Sequence, residues 1–286
     1  MERVGEVSGL KDLREELRAI DSQILQLFAR RMAVAAQVAE YKILTGSPVR
    51  VPKQEAAVLA RARSSMPPGL EDYGAALVRT LLRLSRERQY ELVLEQDANW
   101  QLVRALPRSS SDTLAAVQGE AEKACMQAFP QSRILPAGDA ASACALVQAG
   151  EVDGALIPRS QALPLLAEQE LFIQASVATD GGFFVLGREL ALAAEADQAS
   201  FLVELGPEPE AFALVVDLFA DLNMPLLNLQ NLSPFAHQTL YFLEVAAEPE
   251  NRRAQRALYQ LQHETSFVRL VGWYPTLSQK EGSGLD

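Results

Sequence analysis

Two cations interrupt an apolar helical stripe near the start of this 286-residue chain. Leu10, Leu13, Leu17, Ile20, Ile24, Leu27, Val34 and Val38 recur at helical spacing, built from steps of three and four. Arg31 continues the series after Leu27 and falls in the middle of the stripe, and Lys42 follows Val38 by four. A cation on a buried face is costly unless an ion pair or an anionic ligand compensates it. Ser85 and Gln89, four residues apart, share one face beside a second apolar row of Tyr73, Leu77, Leu81 and Leu84. Arg14 stands at the edge of the first stripe, and Glu55 opens a short intervening helix. Cations, an amide and a carboxylate converging between helices suit a small, hydroxylated polyanion. The residues alone leave a second possibility open: Arg31 and Lys42 reach solvent, or pair with Glu16 or Glu55.

The elements that must position these groups are legible from period and punctuation. Helical periodicity runs from 10 to 44, too long a face for a small domain to bury, so it predicts pairing with another long helix, from a second copy of the chain. "TGSPVRVP" (45–52) breaks it, a short helix follows over 53–64, and a third spans about 70–94. "RALPRSSSD" (104–112) is a polar linker. Beyond it, short apolar runs ("TLAAV", "RILPA", "GALIP", "LFIQA", "GFFVLG") alternate with helices at 119–129 and 139–149, predicting a small α/β lobe to about residue 195. From "ASFLVELG" on, the order is strand, helix (209–222), two strands, helix (250–263) and the strand "FVRLVGWYP", a βαββαβ ferredoxin-like pattern. The predicted architecture is multidomain: an all-α segment at 1–96, a linker at 97–112, an α/β lobe at 113–196 and a βαββαβ domain at 197–286.

Bulk composition narrows the partners. The chain is 49% hydrophobic and 22% charged with net charge −11, which argues against a nucleic-acid backbone or an anionic membrane surface. Two cysteines and two histidines without CxxC or HExxH spacing do not predict a zinc site or a disulfide framework. The first residues hold no apolar signal core, and a cytoplasmic location is expected.

Residues 10–94 resemble the all-helical class of chorismate mutase, in the form that begins bifunctional chorismate mutase–prephenate dehydratase proteins. The strings "LREELRAIDSQILQLFARR", "AEYK", "SPVR…QE" and "SRERQ" carry the resemblance, in order and at matching spacings. It implies a cofactor-free rearrangement of chorismate to prephenate in an intertwined helical dimer. Arg31 would bind one substrate carboxylate, and Arg14 of the second copy the other. Lys42 and Gln89 would bracket the breaking ether oxygen, Glu55 would accept from the ring hydroxyl, and Ser85 would contact a carboxylate. Two binding positions depart from the family: Val51 stands where Asp is usual, and Gln54 where Arg is usual. A hydrogen bond to a charged group contributes about 1.5–3 kcal/mol, so an active mutase with weaker binding is expected.

Residues 113–188 resemble only the second lobe of a prephenate dehydratase. Gly181, Gly182 and Phe183 replace the family's Thr-Arg-Phe, and no first lobe fits between Leu94 and Thr113, so dehydratase activity is expected to be absent. Residues 200–277 resemble an ACT domain whose Glu-Ser-Arg-Pro effector motif is replaced around 231–236 and whose glycine-led turn is replaced by Pro209 and Glu210. Phenylalanine binding is not expected there. The alternative to a mutase is a non-catalytic regulator or partner-binding protein, for which Val51 and Gln54 would be signs of decay.

Overall fold

A computed structural model describes residues 9–97, 106–107, 112–178, 182–206, 209–232, 239–248 and 251–278. The chain divides into two compact units, residues 1–100 and 101–286.

The first unit is helical. Helix α1 (Leu10–Thr45) has 36 residues, about 54 Å of helix. It ends where Gly46 takes the left-handed conformation (φ 65°) and donates its N–H to Lys42 O, a turn that only glycine enters without strain. Helix α2 (Pro52–Ser64) starts on a proline, whose fixed φ suits the first helical position. Its N-cap is Val51, which offers no side-chain cap. Helix α3 (Glu71–Gln96) carries two acidic residues in its first turn, complementing the helix dipole.

The buried seam differs from the predicted one. Ala35 and Ala39 are the buried residues of α1, while Leu17, Ile20, Ile24, Leu27 and Val34 remain exposed in the single chain. Val38, expected in the core, is 38% exposed. On α3 the predicted row also fails at its start, with Tyr73 74% and Leu77 55% exposed; Ala75, Ser85, Gln89 and Tyr90 are buried instead. Small side chains let α1 approach α3 closely, and larger apolar residues one position away stay outside the contact.

The second unit is one continuous sheet flanked by helices. Its first half comprises β1 (Leu106–Pro107), β2 (Thr113–Val117), α4 (Glu120–Ala128), β3 (Arg133–Ala137), α5 (Ala140–Ala149), β4 (Gly154–Pro158), α6 (Arg159–Glu168), β5 (Phe172–Ala178), β6 (Phe183–Gly187) and β7 (Ala191–Leu192). The second half comprises β8 (Gln198–Leu205), α7 (Pro209–Asp221), β9 (Leu226–Asn231), β10 (Thr239–Ala246), α8 (Arg252–Glu264), β11 (Phe267–Tyr274) and β12 (Thr276–Ser278). Strand order is β3-β2-β4-β6-β5-β11-β8-β10-β9, with β1 beside β7 and β12 beside β5. Strands β3, β2 and β4 are parallel, as their helical crossovers require. The β11-β8-β10-β9 half is antiparallel.

The two halves meet where β11 runs parallel to β5 at Gly272 and Ile173. A Cβ on Gly272 would lie 2.7 Å from the Ile173 carbonyl oxygen, so this approach requires glycine. The predicted boundary at 196/197 therefore falls inside one sheet, and one core crosses it: Phe184 of β6 packs on Phe242 of β10 and Tyr274 of β11 at centroid distances of 6.1 and 5.8 Å. The predicted linker also contributes β1 to this sheet.

Candidate active site

Helices α1, α2 and α3 enclose a cavity of about 270 Å³, near the lower end of the roughly 300–1,000 Å³ usual for small-molecule sites. Arg31, Lys42, Val51, Gln54, Glu55, Ser85 and Gln89 line it, seven of the eight predicted site residues. Val34, Val38, Val49, Val58 and Leu82 supply apolar walls. Val38 is thus a wall of the site rather than part of the core.

The eighth residue, Arg14, does not line the cavity of its own chain. It precedes Arg31 by seventeen positions, about 26 Å of helix rise. No side chain spans that distance, so Arg14 lies out of reach of its own chain's cavity.

Both stripe cations are half-buried, and their side-chain hydrogen bonds run to α3 and the loop after α1 rather than to Glu16 or Glu55. Arg31 Nη1 donates to the Leu81 carbonyl at 2.6 Å and to Ser85 Oγ. Lys42 Nζ donates to the Val49 carbonyl at 2.5 Å and to Gln89 Oε1 at 3.0 Å. Gln89 Nε2 donates one hydrogen to the Ser85 carbonyl at 3.1 Å, leaving its second for a ligand oxygen. Burial lowers the pKa of Arg31, and burial lowers that of Lys42 while the negative charge of Glu55 raises it. The pocket therefore holds partly desolvated cations whose hydrogen bonds run to neutral acceptors, poised for an anion.

Arg86 was not singled out by the sequence, yet it lines the cavity and donates from Nη1 to Glu55 Oε1 at 2.9 Å. Its position directly after Ser85 places it off the face that Ser85 and Gln89 share, so helical spacing could not reveal it.

Among the described residues, no group of three or more His, Cys, Asp or Glu side chains could hold a metal, and no helix is long and apolar enough to cross a membrane. Cys125 and Cys144 are buried free thiols, each pushed up to about 11 by burial. Both belong to the hydrophobic core of the second unit.

The second unit carries a buried polar cluster. Arg159, at the start of α6, pairs with Glu244 of β10 and lies over the Phe184 ring, 4.3 Å from its centroid. Tyr274 donates to Glu244 Oε1 at 2.7 Å and contacts Ser200 Oγ at 2.6 Å. Gly182 has φ 64°, and a Cβ there would lie 2.7 Å from Arg159 Cδ. Gly181 lies outside the described residues, as does most of the 231–236 stretch.

The helical unit defines the class: residues 13–90 match the Chorismate mutase type II family. The T-protein of Haemophilus influenzae is 39% identical over 57 residues, which cover 20% of this chain and 15% of that relative. The chain thus spans about 15% of the length of the curated relatives it matches. The prephenate dehydratase of Arthrobacter aurescens, solved with L-Phe, superposes with TM-score 0.51 at 16% identity over 57% of this chain and 89% of its own. GqqA, described as a novel type of quorum quenching acylase, superposes with TM-score 0.50 at 22% identity over 57% of this chain and 95% of its own. These last two likenesses concern the fold. Residues 13–90 thus match the Chorismate mutase type II family, and 57% of the chain shares its fold with solved proteins that include a prephenate dehydratase.

Proposed function

We propose that this chain is a chorismate mutase, converting chorismate to prephenate by confinement and electrostatics without a cofactor. The observation that carries the reading is the Lys42–Gln89 pair, 3.0 Å apart in a cavity that Arg31 and Glu55 also line. Arg31 and Ser85 hold one substrate carboxylate, and Arg14 of a second copy holds the other. Lys42 and the free Nε2 hydrogen of Gln89 meet the ether oxygen as its bond breaks and negative charge develops there, a contact stronger in the transition state than in the ground state. Glu55 accepts from the ring hydroxyl. The small cavity favours the folded substrate shape in which the reacting ends approach, supplying orientation in advance.

A homodimer completes this site. The exposed row Leu17, Ile20, Ile24 and Leu27 supports pairing of two α1 helices.

In this reading the second unit has no dehydratase activity. Gly182 has a left-handed backbone that L side chains rarely adopt, and a Cβ there would press on the Arg159 stem, which supports the loss of the side chain that the dehydratase motif needs. The order β11-β8-β10-β9 with α7 and α8 supports a ferredoxin-like, ACT-type half. A role for this unit in packing or dimerisation fits its degenerate motifs.

The non-catalytic alternative rests on Val51 and Gln54. Assaying the full chain decides between them. Conversion of chorismate that Lys42→Ala lowers by two or more orders of magnitude supports the enzyme, whereas a wild-type rate equal to the uncatalysed one leaves the regulator. Phenylpyruvate formation from prephenate would refute the loss of dehydratase activity.

A further inference from the structure

Glu55 is held from one side by a cation that the substrate roles above do not use. Arg86 Nη1 donates to Glu55 Oε1 at 2.9 Å, with side chains only 12% and 20% exposed. The contrast with Arg63–Asp72, at 3.0 Å but 54% and 86% exposed, is physical: solvent screens the second pair and largely spares the first. Glu55 also lies in the field of Lys42. One carboxylate thus interacts with two cations, and its hydrogen bond to Arg86 occupies Oε1. Glu55 Oε2 has no donor among the described residues.

We propose that Arg86 is a positioning residue: it fixes Glu55 through Oε1 so that Oε2 accepts a hydroxyl of the ligand, making the site selective for hydroxylated dicarboxylates. The inference rests on the mutase reading. Arg86 acts through Glu55 and need not touch the substrate. A carboxylate tethered at one oxygen loses rotational freedom, so its other oxygen meets the hydroxyl with little ordering cost. A site built to bond a hydroxyl rejects an analogue lacking it, because a buried acceptor would be left unpaired. The charge of Arg86 has a second effect, keeping Glu55 from drawing Lys42 into a direct ion pair that would compete with the ether oxygen.

The test is a double-mutant cycle on the full chain, measuring kcat and KM for chorismate with wild type, Arg86→Gln, Glu55→Gln and the double variant. Each single change is expected to lower kcat/KM about tenfold or more. The double variant is expected to fall no further than Glu55→Gln, within about threefold, because Arg86 has nothing left to position. Arg86→Lys, which can donate the same single bond, is expected to recover most of the loss. Inhibition by a cyclic dicarboxylate with and without a ring hydroxyl gives an independent readout, with the hydroxyl preference present in wild type and lost in Arg86→Gln. Fully additive effects would assign Arg86 to direct anion binding and overturn the proposal, as would an unchanged Arg86→Gln enzyme. Should Arg86→Gln not fold, Arg86→Lys decides, its retained hydroxyl preference supporting the positioning role and its loss in a folded protein refuting it. An inactive wild type would remove the mutase reading and this inference together, whereas an active wild type with an additive cycle removes only the inference.

Discussion

Gln89 holds Lys42. Its Oε1 receives the Lys42 ammonium at 3.0 Å, while its Nε2 is anchored on the Ser85 carbonyl one turn back. A lysine on α1 and an amide on α3, 47 residues apart, thereby become one preorganised donor pair. A neutral partner matters here. A carboxylate at position 89 would neutralise the ammonium and repel a developing oxyanion, whereas an amide orients the ammonium without cancelling it.

The pH dependence follows from the Lys42 shift. Burial lowers its pKa below the usual 10.5, and Glu55 partly opposes this. In the proposed mechanism the ammonium is the form that stabilises the ether oxygen, so activity should be retained at lower pH and lost as pH rises through the depressed value. Glu55→Gln removes the opposing charge and should move this basic limb to lower pH still. Profiles of kcat/KM against pH for both proteins test the sign; a limb that moves upward would contradict the assignment.

Val51 is the N-cap of α2 with extended backbone (φ −128°, ψ 90°) and no side chain to accept the first-turn N–H groups. Val51→Asp should supply that acceptor and stabilise the helical unit by about 1 kcal/mol. The same carboxylate would line the cavity near the proposed hydroxyl contact. Thermal unfolding reads the first effect and KM the second; an unchanged melting midpoint would refute the capping argument.

Gln54 lines the cavity but carries no charge, beside a dianion's proposed carboxylates. Gln54→Arg should lower KM for chorismate by roughly tenfold, as expected for one added charged hydrogen bond. Little change in kcat is expected, because both carboxylates are present in ground and transition states alike.

The exposed α1 row predicts oligomeric state. Ile20 and Ile24 are 44% and 50% exposed and sit at the centre of that row. Ile20→Glu with Ile24→Glu should convert a dimer to a monomer in sedimentation equilibrium and abolish mutase turnover, since Arg14 cannot reach its own cavity. Wild type that is monomeric and fully active would overturn the shared-site arrangement.

In the second unit, Arg159→Met leaves Glu244 buried, 4% exposed in its side chain, with only the Tyr274 hydroxyl to compensate it. A destabilisation of about 3–5 kcal/mol is expected from an uncompensated buried carboxylate. Differential scanning calorimetry measures it, and the double change Arg159→Met with Glu244→Gln should recover part of the loss.

What the sequence determined by itself was local. Periodicity specified three helices within a few residues, and Gly46 and Pro52 punctuated them for stereochemical reasons that need no tertiary context. Polar types on apolar faces exposed Arg31, Lys42, Ser85 and Gln89, because a costly residue in a regular pattern is informative on its own. The tertiary structure decided which faces meet. Ala35 and Ala39 form the α1 seam because close helix approach selects small side chains, a criterion that a hydrophobic stripe does not express. Arg86 entered the site because its long side chain reaches across to α2, whereas periodicity locates only Cβ directions. The union of β5 with β11, about a hundred residues apart, depended on the absent side chain of Gly272 against a distant carbonyl. A sequence pattern encodes the face an element presents; the neighbour that covers the face is settled by packing between segments remote along the chain.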